Sequence, residues 1–85
     1  MNIENCQNLQ DFSVFVNDKT LCDDEYLQIL CKEALIAERT CLFPKNGLLY
    51  KWINTYKEKN DHFDFSALDI IFTISNAYMR RNIKE

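Results

Sequence analysis

A chain of 85 residues with a single glycine, Gly47, and a single proline, Pro44, has little with which to make tight turns. Small β-sandwiches and barrels turn about every 8–12 residues, usually on Gly, Pro or Asn-Gly, so an all-β fold is excluded and a helical one expected. The same scarcity removes phosphate-cradling glycine loops and dinucleotide fingerprints, which need several glycines where backbone meets ligand. No apolar run is long enough to span a bilayer, and the opening MNIENCQNLQ has acid and amides where a signal peptide carries lysine and then an apolar stretch. A cytoplasmic protein with no membrane association is expected.

Histidine is nearly absent too: His62 stands alone, and no motif sets a nucleophile or acid beside it. No enzyme activity and no cofactor are expected. Cys6, Cys22, Cys31 and Cys41 include no C-x-x-C pair and have no secretory context, so reduced thiols are expected rather than a disulfide framework or a zinc site. Cys6 lies outside the periodic segments and is the thiol expected to react. Asp23-Asp24-Glu25 lacks the alternating ligands and central Gly of a calcium loop and reads as a helix start.

What is present is ordinary globular balance, 47% hydrophobic and 27% charged. One domain over residues 1–85 is expected, with 1–7 and 81–85 as flexible tails. A domain this small buries only about 60–65% of the surface its unfolded chain exposes, which makes a second chain a natural cover for leftover apolar surface.

The apolar spacing predicts an all-α fold, a small bundle of three to four helices. Leu9, Phe12, Phe15 and Val16 place a first helix over about 8–17, closed by Asn17-Asp18. Leu27, Leu30, Cys31, Ala34 and Leu35 form one face of a second helix over 23–40, while Ile29 and Ile36, with Tyr26 nearby, form a second strip about a quarter turn away. Pro44 fits a connection or the first turn of a third helix over 45–58, whose apolar face is Leu48, Leu49, Trp52, Ile53 and Tyr56. A fourth helix begins near Asp64 or Ser66, where Ser66-Ala-Leu-Asp69 approximates a capping box. Leu68, Ile71, Phe72, Ser75 and Met79 share one of its faces; Ile70, Ile74, Ala77 and Tyr78 occupy much of the other.

Charge is divided unevenly. Residues 1–40 hold 8 acids and 3 bases, −5, whereas residues 41–85 hold 5 acids and 7 bases, +2. The lysines at 45, 51, 57 and 59 scatter around the third helix at about 100° per residue, so they read as a solvated surface and not as a nucleic-acid stripe. Arg80, Arg81 and Lys84 remain the candidate contacts for phosphate or an acidic partner.

Phe15, Leu21, the acids Asp23 to Glu25, then Lys45-Asn46, Leu48-Leu49, Ile53, Asp61 and the apolar last helix follow in an order that resembles the YmgB/AriR family of enterobacterial biofilm and acid-resistance regulators, over about residues 12–72. The chain departs from that pattern at Pro44, Trp52, the four cysteines and the RRNIKE tail. The resemblance implies a small, helical, homodimeric, non-enzymatic connector that biases an Rcs-type phosphorelay, and with it biofilm formation. It also implies a topological likeness to the Hha nucleoid modulators.

The expected function is therefore regulation by protein–protein interaction: a homodimer that meets a signalling or transcription-regulatory protein, with Tyr26, Ile29, Ile36, Ile70, Ile74 and Tyr78 as the dimer or partner surface. An Hha-like transcription modulator with direct or indirect DNA association is the alternative, DNA being the less favoured partner. An immunity or antitoxin protein is a further one.

Overall fold

A computed structural model describes residues 3–59 and 66–83. A short 3-10 helix, Ile3–Asn5, precedes four α-helices: α1 (Leu9–Asn17), α2 (Asp24–Thr40), α3 (Leu48–Lys59) and α4 (Ala67–Ile83). α4 packs against α2 and α1, while α3 packs against the 3-10 helix and α2. The molecule measures 43 × 28 × 20 Å. Its smallest dimension equals about two helix diameters, so a helix that packs on one side shows its other side to solvent.

Local chemistry explains where most helices begin. Asn8 and Asp23 stand extended before α1 and α2, and their side chains accept the amides of Asp11 and Tyr26, each at 2.8 Å. Ser66 and Asp69 cap α4 reciprocally, as the capping-box spacing predicts: Ser66 N–H donates to Asp69 Oδ2 at 2.9 Å and Asp69 N–H to Ser66 Oγ at 3.3 Å. His62 and Asp64 lie outside the described residues.

α3 starts differently. Its first amides, Leu48 N–H and Leu49 N–H, donate at 3.1 and 3.0 Å to the carboxylate of Glu33, a buried residue of α2. Glu33 thus supplies from another helix the acceptors that a local cap would provide. The close approach leaves no room at Gly47, where a Cβ would lie 2.6 Å from Glu33 Oε1. The third helix therefore begins at residue 48, later than the 45 its spacing suggested, because Pro44 and Gly47 make the preceding turn, Gly47 N–H donating to Pro44 O at 2.9 Å.

α2 ends on Cys41, which takes the left-handed conformation (φ 67°) and donates its amide to Ala37 O at 2.8 Å. Glycine is the residue that usually makes this closure, because it has no Cβ to crowd the carbonyl.

The core joins all five elements. Phe12 stacks on Trp52 with ring centroids 4.6 Å apart, Phe15 meets Tyr26 edge-on at 5.6 Å, and Leu30, Leu49, Ile70 and Ile74 fill the space between helices. Large side chains buried to this degree contribute about 1.5–3 kcal/mol each. Trp52 Nε1–H donates to Cys6 O at 2.9 Å, anchoring the N-terminal segment to α3. Residues 3–7 are consequently not a flexible tail: Ile3 and Cys6 belong to the core. At the other end, α4 continues through Ile83.

Candidate interaction surface

Two apolar strips lie on the outside of α2 and α4. On α4, Leu68, Phe72, Ser75 and Met79 follow each other at steps of four, three and four residues, which keeps them on one side of a helix. The large members are exposed by 58% (Leu68), 61% (Phe72) and 54% (Met79), with Leu35 of α2 at 49% and Tyr78 at 41% beside them. A groove of about 450 Å³ between α2 and α4 adjoins the Ser75–Met79 end of this strip, walled by Leu35, Ile71, Ile74, Tyr78 and Met79, with Lys32 and Glu38 among its lining residues. A hollow of similar size beside the 3-10 helix has more polar walls, Asn5, Gln7, Thr55 and Lys59 joining Trp52 and Tyr56.

The second strip is Ile29 and Ile36 on α2, both nearly half-exposed. At about 100° per residue they point 100–120° around the helix from Leu35, with Lys32 between, so the two strips are separate surfaces. Of the residues expected on a dimer or partner surface, Ile29, Ile36 and Tyr78 are exposed.

Ile70 and Ile74 do not fit it. Both are wholly buried, and with Ile71 and Ala77 they form the face of α4 that enters the core. The outward residues are Leu68, Phe72 and Met79, which the sequence pattern placed on the opposing face. No charged residue occurs from Ile70 to Met79, so nothing in that stretch marks the solvent side. Small Ala77 in line with Ile70 and Ile74 lets this face pack closely against neighbouring helices.

Tyr26 is likewise occupied within the molecule. Its ring lies against Phe15, its hydroxyl hydrogen-bonds the backbone at Ile3, and burial pushes its pKa above the ordinary tyrosine value. It closes the N-terminal segment onto α2 and is only partly exposed.

The arginines divide. Arg80 Nη1 donates to Asn17 Oδ1 at 2.9 Å on the exposed surface. Arg81 folds inward: Nη2 donates to Val16 O at 2.8 Å, and Nη1 lies 3.2 Å from Asp24 Oδ1, with the side chain only 14% exposed. One guanidinium thereby ties the end of α4 to a carbonyl in the last turn of α1 and to the first turn of α2, with the Cys22 thiol also within hydrogen-bonding reach. It satisfies an orphan carbonyl and places positive charge at the negative end of the α1 dipole. Arg81 is thus a structural latch and not a free contact for phosphate. Lys84 lies outside the described residues.

The four cysteines are free thiols, with Cys6 and Cys22 buried, Cys31 half-buried and Cys41 exposed. Burial, aided by the nearby Asp11 carboxylate, pushes Cys6 up to about 11, so the expectation that it is the reactive thiol is corrected. The segment around it lacks helical periodicity but is held by Trp52. Burial also raises Cys22 and Cys31. Cys41, exposed at the end of α2, is the accessible thiol.

Among the described residues no group of three or more His, Cys, Asp or Glu side chains is placed to hold a metal ion, and no helix is long and apolar enough to cross a membrane. Compared with known family models, curated proteins and solved structures, the chain matches none.

Proposed function

We propose that this chain is a non-enzymatic regulatory protein that works by protein–protein contact, as the YmgB/AriR resemblance implies: a connector that biases an Rcs-type phosphorelay controlling biofilm formation and acid resistance. The observation that carries this reading is the exposed apolar surface of α2 and α4, where large side chains stand about half in solvent on helices whose opposite faces already fill the core. Apolar surface gathered on a rigid helical support is the usual form of a protein-contact site. The Ile29–Ile36 strip, with exposed Glu25 and Lys32 beside it on α2, is assigned to the signalling partner. The engagement of Arg81 inside the fold removes half of the Arg80-Arg81 pair on which direct DNA binding rested.

The test is a reporter gene driven by the phosphorelay, read in cells producing either the wild-type chain or the variant carrying Ile29→Glu and Ile36→Glu. The reading expects the wild type to shift reporter output several-fold and the variant, folded and present at equal level, to leave it unchanged. A wild-type chain without effect on the reporter would overturn it.

A further inference from the structure

We infer that the outer face of α2 seats one amphipathic helix of a different protein, running antiparallel to α2 and presenting acid, apolar, acid, apolar and basic side chains in that order. This rests on the protein-contact reading above and names the chemistry of the partner that meets the Ile29–Ile36 strip.

Apolar and charged residues alternate along this face. Glu25, Ile29, Lys32, Ile36 and Arg39 follow at steps of four, three, four and three residues, which keeps them within about 80° of one another around the helix, as in a coiled-coil seam. All five are exposed. Among the described residues the three charges of this seam form no ion pair, whereas neighbouring Asp24 is held by Lys19 and Arg81.

The alternation rejects a second copy of this chain as the occupant. Both isoleucines stand at one kind of seam position and all three charges at the other. Parallel helices pair like positions, so Glu25 would meet Glu25, Lys32 would meet Lys32 and Arg39 would meet Arg39. Reversing one helix exchanges the two kinds of position, so each isoleucine would meet a charge. The first arrangement opposes like charges and the second takes charges out of water without a partner, and both are unfavourable.

A foreign helix can answer every position. Read from its own N-terminus and antiparallel to α2, it meets Arg39 with an acid, Ile36 with an apolar side chain, Lys32 with an acid, Ile29 with an apolar side chain and Glu25 with a base. A hollow of about 490 Å³ at the Glu25 end, with Asp23, Gln28, Ile29 and Lys32 also lining it, gives that base room beside two carboxylates. The direction follows from the helix dipole: the antiparallel order puts the partner's acids toward its N-terminus and its base toward its C-terminus, where its own helix favours them. A parallel helix would need the opposite order. The contact spans about 15 residues, roughly 21 Å of helix. Two half-exposed isoleucines and three charged side chains make a small interface, of the size typical of weak, transient signalling contacts.

The experiment titrates the full chain into a fluorescently labelled, alanine-based helical peptide of about 21 residues, read by anisotropy. The peptide carries a glutamate, a leucine three residues on, a second glutamate four further, a leucine three further and an arginine four further. Its dissociation constant is expected to be on the order of 100 μM. Exchanging the second glutamate for lysine is expected to weaken binding about tenfold, and Lys32→Glu in the protein is expected to reverse the preference between the two peptides. Ile29→Glu with Ile36→Glu should abolish binding of both and leave the sedimentation mass of the protein as in the wild type, with far-UV circular dichroism unchanged because both positions are exposed. No binding below about 1 mM, a preference that Lys32→Glu does not reverse, or a mass lowered by the isoleucine substitutions, which would give the strip to a second copy, would each overturn the proposal. If neither peptide binds while the isoleucine variant still abolishes the reporter response, this inference falls and the protein-contact reading stands. If the peptides bind as expected while the wild-type chain leaves the reporter unchanged, the phosphorelay reading falls and the inference stands.

Discussion

Replacing Gly47 by alanine should destabilise the protein through a residue fourteen positions away. The added Cβ would lie 2.6 to 2.9 Å from the Glu33 carboxylate atoms, closer than packed atoms allow. The carboxylate is the far end of a flexible side chain and can move, but moving it gives up the amides of Leu48 and Leu49, the latter buried. The loss on Gly47→Ala is therefore bounded by the loss on Glu33→Ala. Hydrogen bonds to a charged acceptor contribute about 1.5–3 kcal/mol each, and the half-buried Leu48 amide can recover water, so Glu33→Ala should cost about 2–3 kcal/mol. Gly47→Ala should cost about 1–2 kcal/mol.

The double variant separates this account from a generic glycine effect. Without the carboxylate, the alanine methyl has space. Its lower unfolded-chain entropy then opposes the loss of a favourable residue at the helix entry, and Gly47→Ala should lie within about 0.5 kcal/mol of neutral. The cycle predicts a coupling of about 1–2 kcal/mol, measured by urea denaturation of wild type, both single variants and the double variant. Additive losses within about 0.5 kcal/mol would refute the proposed clash.

Other outcomes follow from the same geometry. Arg81→Met should lower stability by about 1–2 kcal/mol through the lost Val16 carbonyl bond, whereas Asp24→Asn should cost under about 1 kcal/mol because that carboxylate is largely exposed; comparable losses in a denaturation series would contradict the latch. Cys41→Gly should raise stability by about 0.5–1 kcal/mol by relieving a side chain at positive φ, and a lower unfolding midpoint would count against it. In the native protein at pH 8 a thiol reagent should label Cys41 rapidly and Cys6 and Cys22 only as fast as the chain opens, with mass spectrometry locating the label. Because the folded state holds Cys6 at about 11, against 9.0 ordinarily, the unfolded chain loses that proton first; stability should therefore fall as pH rises from about 9 to 11, and a flat urea midpoint across that window would contradict the burial of Cys6.

The helices were legible because period and caps agree. Asn8, Asp23 and the Ser66–Asp69 pair each stand one residue before, or within, a segment of helical apolar spacing, and each caps as its chemistry suggests. Glu33 could have been noticed: it falls three residues after Leu30 and beside Ala34, on a face otherwise apolar, and a lone carboxylate there implies a buried donor. Its donors lie across a turn, at a distance that no local pattern encodes. The inward face of α4 was not legible, because Ile70, Ile74, Phe72 and Met79 are apolar alike and no charge divides them; the choice depends on how α1 and α2 pack. Ile3 and Cys6 are too few to show a period, and it takes Trp52, whose indole finds Cys6 O, and Tyr26, bonded to the backbone at Ile3, to show why that segment is held.

The account of the exposed α2 and α4 surface, together with the homodimer that the resemblance implies, is tested most directly by sedimentation equilibrium of the unaltered protein from about 5 to 200 μM. The account predicts a mass that rises with concentration from 10.1 kDa toward twice that value. A mass that stays at 10.1 kDa throughout the range would contradict it.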